Sequence, residues 1–156
     1  MPNRRVAIAM TPDEISAYLA SGRTLVLVTT GPDGIGDPVP MWYEMDEQGR
    51  ICMRTYARSQ KVANLRRDPR FSALVEDGDR YSELRGVQLT GRVELIDDPA
   101  WIADVYVRLL TKYEGLNPRH ALALREAAHE RAAKQVGLRL LTERIVSWDH
   151  SKGVTE

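Results

Sequence analysis

Apolar and polar positions along this chain lay out its elements one after another. In "TPDEISAYLASG", Ile15, Tyr18 and Leu19 recur at helical spacing. Thr11 suits the N-cap, Pro12 the first helical position, Glu14 the far side of a capping box, and Gly22 the stop. "RTLVLVTT" (23–30) is apolar on both faces and predicts a well-covered strand. Turn chemistry in "GPDGIG" leads to "DPVPMWYEM", where Val39, Met41, Tyr43 and Met45 take one side of a single second strand. Pro38 and Pro40 cannot donate to a ladder, so that backbone is unpaired or lies at an edge. "DEQG" turns into a third strand, "RICMRTY".

A short helix is expected to begin near Ser59, to turn Val62 and Leu65 inward and to stop at Asp68-Pro69, because proline disfavours helical geometry in the residue before it. "FSALVED" and "ELRGVQLTGRVELI" are the fourth and fifth strands. In the latter, Val87, Leu89, Val93 and Leu95 alternate with Gln88, Thr90, Arg92 and Glu94, the pattern of a strand with one wet face. Two helices follow. Asp98 and Pro99 start one, with the stripe Ile102, Val105, Tyr106, Leu109 and Tyr113; Asn117 and Pro118 start the other, whose apolar face is mostly alanine and whose end Gly137 marks. "LRLLTERIVSWDH" returns to strand. Six strands in near succession favour an antiparallel meander or Greek key. At this length they can curl into a small barrel, plugged or flanked by the helices. The 156 residues fit a single domain, 1–156, able to bury a core without disulfides or metals.

Composition narrows the function classes. Apolar residues make up 43% and charged residues 28%, and 22 basic against 22 acidic side chains leave a formal net charge of zero. That balance argues against a general nucleic-acid or membrane-surface binder, though not against a local anion site. No segment approaches a membrane span, and the start lacks the apolar run of a signal peptide. The single cysteine, Cys52, cannot form an internal disulfide, so a cytoplasmic protein is expected.

Charge is nonetheless gathered in one place. "MRTYARSQKVANLRRDPR" (53–70) holds Arg54, Arg58, Lys61, Arg66, Arg67 and Arg70 against one acid, Asp68. Free backbone N–H groups at a helix start, with the Ser59 hydroxyl, Arg58, Lys61 and Arg54 nearby, form a reasonable phosphate pocket. A solvated basic helix explains the spacing equally well, and it suits Arg66, Arg67 and Arg70 better, since cations offset the dipole at a helix C-terminus. Trp42 beside Pro40 reads either as core or as a flat wall for a ring. His120, His129 and His150 are scattered, with no trusted ligand spacing, so no metal site is expected. No residue is assigned a catalytic role. A hydride-carrying cofactor needs the protein mainly for binding and orientation, and that suits a site of cations with an apolar wall.

"PVPMWYEMDEQGRICMRTYARSQKVANLRRDPRFSALVE" resembles the pyridoxamine 5′-phosphate oxidase-like, FMN-binding split-barrel superfamily, and within it the flavin/deazaflavin oxidoreductases that use FMN or F420. The likeness spans roughly 15–96 and returns at "IVSWDHSKG". It implies a mainly β protein with flanking helices, a six-stranded antiparallel split β-barrel, and a homodimer with cofactor sites at its interface. It places the cofactor phosphate on Arg54, Thr55, Arg58, Ser59 and Lys61, and the ring against Pro40, Met41 and Trp42. It implies hydride transfer to a small or planar organic acceptor, with no nucleic-acid or membrane partner. The alternatives are a flavin- or haem-binding protein without turnover and a small-barrel nucleic-acid binder. The chain lacks the C-terminal arginine-rich segment that completes the pyridoxamine phosphate site, so that substrate is not carried over.

Overall fold

Seven strands form one antiparallel sheet in a computed structural model that describes residues 4–153; the outer ends of the expected 1–156 domain lie outside the described residues. The strands are β1 (Leu25–Thr30), β2 (Gly36–Met41), β3 (Glu44–Met45), β4 (Ile51–Tyr56), β5 (Arg70–Asp77), β6 (Arg85–Ile96) and β7 (Gln135–Asp149). They lie in the order β2-β1-β5-β6-β7-β4-β3. The two edge strands, β2 and β3, are therefore neighbours in the chain, separated by Trp42 and Tyr43 alone. The sheet curls until its edges meet through that covalent link instead of a ladder. The result is the expected mainly β, split barrel with flanking helices, with one correction. "DPVPMWYEM" is two strands rather than one, which raises the count from six to seven.

The break has a physical cause. The Tyr113 hydroxyl accepts from the Tyr43 backbone N–H at 3.1 Å and donates to the Tyr43 carbonyl at 3.1 Å. The Lys112 ammonium donates to the same carbonyl at 3.1 Å. Side chains thus satisfy the backbone groups that a continuous strand would pair. The Tyr43 ring is fully buried, and its hydroxyl donates to the Leu19 carbonyl at 2.6 Å.

Helices α1 (Arg4–Ala7), α2 (Pro12–Ser21), α3 (Gln60–Arg67), α4 (Pro99–Glu114) and α5 (Pro118–Arg131) flank the sheet. Their starts follow the expected chemistry. Thr11 and Glu14 close a capping box, Asp98 accepts from Ala100 N–H at 2.9 Å, and Asn117 accepts from Arg119 N–H at 3.0 Å. Gly115, at φ 63°, ends α4 in the left-handed conformation that glycine adopts readily. Gly137 requires a second correction. It does not stop a helix but lies inside β7, opposite Arg54 and Ile96, where the Trp101 ring covers it so closely that no Cβ would fit.

Alternate residues of the strands fill the core: Leu25 and Leu27, Phe71, Ala73 and Val75, Val87 and Leu89, Leu138 and Leu140. Cys52 is buried with Val105 and Leu109 beneath α4, and burial pushes its thiol up to about 11, so it is a barrel residue as expected. Asn64 pins α3 to the sheet. Its amide donates to Thr29 Oγ1 at 3.0 Å and Asp37 Oδ2 at 3.2 Å, and its carbonyl accepts from Gln60 and Arg67.

Tyr113→Phe strands the Tyr43 N–H in a part-buried setting. It is expected to lower unfolding free energy by about 1–3 kcal/mol in urea titration, whereas a midpoint equal to wild type would show that the break does not depend on the hydroxyl.

Glu44, next along the break, is buried and pairs with Arg108 at 3.0 Å. Burial pushes its carboxyl up to about 7, against the opposing charge of Arg108. The folded state then holds a proton that the unfolded state has already released above its ordinary 4.5. Stability contributed by this group is present below about pH 4.5 and lost as pH rises to about 7. Glu44→Gln should flatten that fall, by about 1–3 kcal/mol across the window, in paired denaturation curves. Parallel curves for the two proteins would contradict the assignment.

Candidate functional site

The residues singled out from the sequence lie on three elements that meet beside the break. Pro40 and Met41 come from the end of β2 and Trp42 directly follows it, Arg54 and Thr55 come from β4, and Ser59 and Lys61 from the N-cap and first turn of α3. The first five line one cavity of about 390 Å³, together with Tyr56, Tyr106, Leu109, Leu110 and Gln135. That volume lies within the range of ligand pockets.

Register explains the convergence. Arg54 stands opposite Gly137 and Tyr56 opposite Gln135, so Arg54 and Tyr56 face outward beneath α4, and Thr55 between them faces the core. The Arg54 guanidinium lies over the Tyr106 ring at 3.8 Å to the centroid. Arg54 is half-buried, and burial lowers its pKa; among the described residues no carboxylate forms an ion pair with it.

Trp42 forms the opposite wall. Its ring stacks on Tyr113 with centroids 4.4 Å apart and planes 6° from parallel, and the Arg23 guanidinium sits 4.7 Å from the Tyr113 ring. At 47% exposure Trp42 is neither core nor free surface; it is held as a partly open wall. Trp42 is therefore not a core residue.

The candidate phosphate residues gather at the start of α3. Ser59 is the N-cap, as expected, but its side chain makes no capping bond. Its Oγ is buried without a hydrogen-bond partner among the described residues. A buried hydroxyl left unpaired costs free energy that a ligand oxygen can recover. Lys61 Nζ donates to Thr55 Oγ1 at 3.2 Å, which ties this end to the cavity. Arg58 is exposed and does not line this cavity.

Two further cations of the basic stretch serve the fold. Arg67 donates to the Thr30 carbonyl at 2.5 Å and to Asn64, and Arg70 pairs with Asp68 at 2.7 Å. Arg66, Arg67 and Arg70 are exposed, whereas Arg54 and Lys61 are half-buried.

Sequence reasoning missed Tyr106, Leu109, Leu110, Gln135 and Tyr113 as site residues. Three of them belonged to the apolar stripe of α4 and were assigned to the core alone. The signal available was the tyrosines within that stripe, whose hydroxyls need partners when buried. The cavity presents no histidine, and His150 packs edge-on against Tyr81. No group of three or more metal-ligating side chains occurs among the described residues. None of the described helices is long and apolar enough to cross a membrane.

Among curated proteins, none matches this sequence. Among solved structures, a conserved hypothetical protein, Rv2991, from Mycobacterium tuberculosis is 39% identical, with 97% of this chain and 93% of that one covered and a TM-score of 0.87. An F420 reductase is 22% identical, over 83% of this chain and 94% of its own, with a TM-score of 0.63. A FAD-binding protein from Mesorhizobium loti is 18% identical, over 89% of this chain and 94% of its own, with a TM-score of 0.64. The last two likenesses establish shared fold. The pyridoxamine 5′-phosphate oxidase profile matches residues 11–149, nearly the whole chain, and the chain belongs to that family.

Proposed function

We propose that this chain, acting as one split-barrel domain, is an oxidoreductase that binds a flavin-type cofactor, F420 or FMN, and passes hydride to a small or planar organic acceptor. The observation that carries the reading is the buried, unpartnered Ser59 Oγ at the α3 N-cap, within the same few residues as Lys61 and Thr55. It has the chemistry of a phosphate seat: a hydroxyl donor, an ammonium and helix N–H groups. The cofactor-named structures that share the fold support the same class.

The chain's own residues divide the work. Ser59, Thr55 and Lys61 hold the phosphate, Arg54 adds positive charge nearby without gripping it, and exposed Arg58 stands just before the helix start. Pro40, Met41 and Trp42 wall the ring, and Tyr113 keeps Trp42 in place from behind. When bound, the cofactor supplies the hydride. The protein contributes orientation, bringing donor and acceptor atoms to about 3–3.5 Å, and exclusion of water. The cavity presents no histidine that could hold a haem, so the flavin-type reading is preferred.

A second copy of the chain completes the site in this reading. Directly paired residues share a face of the sheet, and the outward row Pro40–Val26–Leu74–Gln88–Val146 runs across five strands. Val26 and Leu74 are half-buried there, and Val146 is 42% exposed. Pro40 belongs both to this row and to the cavity wall, so a two-fold partner laid on the row reaches the cavity's edge.

The phosphate seat is tested by titrating FMN and F420 side by side into the wild-type chain and three variants. Lys61→Ala and Arg58→Ala should each weaken binding by about 1.5–3 kcal/mol, the range for charge-assisted hydrogen bonds. Arg70→Ala should leave affinity unchanged, since that guanidinium is committed to Asp68. Equal losses in all three would mean a diffuse surface charge and no seat.

The ring wall is tested by single-turnover reduction of an acceptor by pre-reduced cofactor at saturation. Trp42→Ala should slow the step at least several-fold, and His120→Gln, His129→Gln and His150→Gln should not. A slow histidine variant with Trp42→Ala at full speed would contradict both the wall and the absence of a proton-transfer residue.

A further inference from the structure

A second cavity, larger than the first at about 700 Å³, adjoins it and shares Arg54, Tyr56, Tyr106 and Gln135. The function proposed above leaves it without an occupant. Its far wall is the end of α5 and the 3₁₀ turn Ala132–Lys134 that follows. The turn is fastened, because the Ala57 N–H donates to the Lys134 carbonyl at 3.0 Å and so fixes it to the end of β4.

Charge in this cavity is unbalanced. Arg54, Arg131 and Lys134 line it, against Glu130 alone. Among the described residues none of the three cations has an ion-pair partner. Cations at a helix end often serve only the helix dipole. Arg131 and Lys134 differ in that they edge a concave space opposite a half-buried, unpaired guanidinium. A half-buried cation without a counter-charge favours an anion from outside. The remaining lining is flat or small: the rings of Tyr56 and Tyr106, and Leu124, Ala127 and Ala128 from α5.

We infer that this cavity binds a planar conjugated carboxylic acid, its carboxylate held by Arg54, Arg131 and Lys134 and its flat body lying along Tyr56 and Tyr106. Guanidinium groups suit carboxylates because their paired N–H groups match the two oxygens. That this acid is the hydride acceptor rests on the function proposed above. In that role the acid's double bond takes up a hydride at one carbon and a water proton at the other, two electrons coming from the reduced cofactor.

The test uses trans-cinnamate and its neutral counterpart cinnamamide, titrated calorimetrically into the full chain without cofactor. Cinnamate should bind at least tenfold more tightly than the amide. The Arg131→Ala/Lys134→Ala double variant should erase that preference while leaving FMN and F420 affinity unchanged. Both side chains are exposed, so the variant should fold, and the amide comparison in wild type stands without it. Equal affinity for acid and amide, or no binding of either, overturns the inference. So does a double variant that keeps the preference. A variant that loses F420 affinity instead assigns the two cations to that cofactor's acidic tail and also overturns it. A chain that binds cinnamate in this manner but neither cofactor refutes the proposed oxidoreductase and leaves this site standing; the reverse result refutes this site alone.

Discussion

The backbone of Tyr43 has no strand partner, and the architecture depends on how that deficit is met. A buried N–H or carbonyl left unpaired costs about 1–3 kcal/mol. The Tyr113 hydroxyl serves both groups at once, and Lys112 adds a second donor to the carbonyl. With the deficit met by side chains, β2 and β3 need not continue one another. Each can take its own partner, β1 on one side and β4 on the other. The barrel splits at that point, and the cavity opens beside the split. The same tyrosine stacks on Trp42 and so ties the break to the wall of the site.

A second tie fixes the other end. Asn64 uses both amide hydrogens and its carbonyl, which pins α3 against β1 and against Asp37 on β2. With α3 held, Ser59 and Lys61 stand at a set distance from Thr55 and the β2 wall. The clustering of cations in an otherwise neutral chain then separates into two jobs. Arg67 and Arg70 fasten the helix end and the following strand, whereas Lys61 bonds Thr55 and Arg54 lines the cavity. A run of like charge is thus no single feature; the partner of each side chain decides what it does.

Much of this was legible in the chain. Helix starts at Thr11, Asp98 and Asn117 and the stop at Asp68-Pro69 are local chemistry, and local chemistry determined them. Alternation in 85–96 described β6 residue by residue. The break at Trp42-Tyr43 was not legible, because the period of two runs through it unbroken and its cause is a hydroxyl seventy residues away. Gly137 misled for a similar reason. A glycine between a helical pattern and a strand reads as a cap, yet its role is to admit the Trp101 ring. Five of the eight candidate site residues share a cavity, since neighbours on a strand and its hairpin partner stay together in space. The walls supplied by α4 escaped notice because an apolar stripe does not reveal which of its members face a cavity.

The proposed function joins two ends of one site, a phosphate seat at α3 and a ring wall at the break. Crystallography of the chain soaked with FMN tests that join most directly. The account predicts phosphate density within hydrogen-bond reach of Ser59 Oγ, Thr55 Oγ1 and Lys61 Nζ, with the ring against Pro40, Met41 and Trp42 and a two-fold partner closing the edge. Phosphate density away from α3, or a ring lying outside the Trp42 wall, would contradict it.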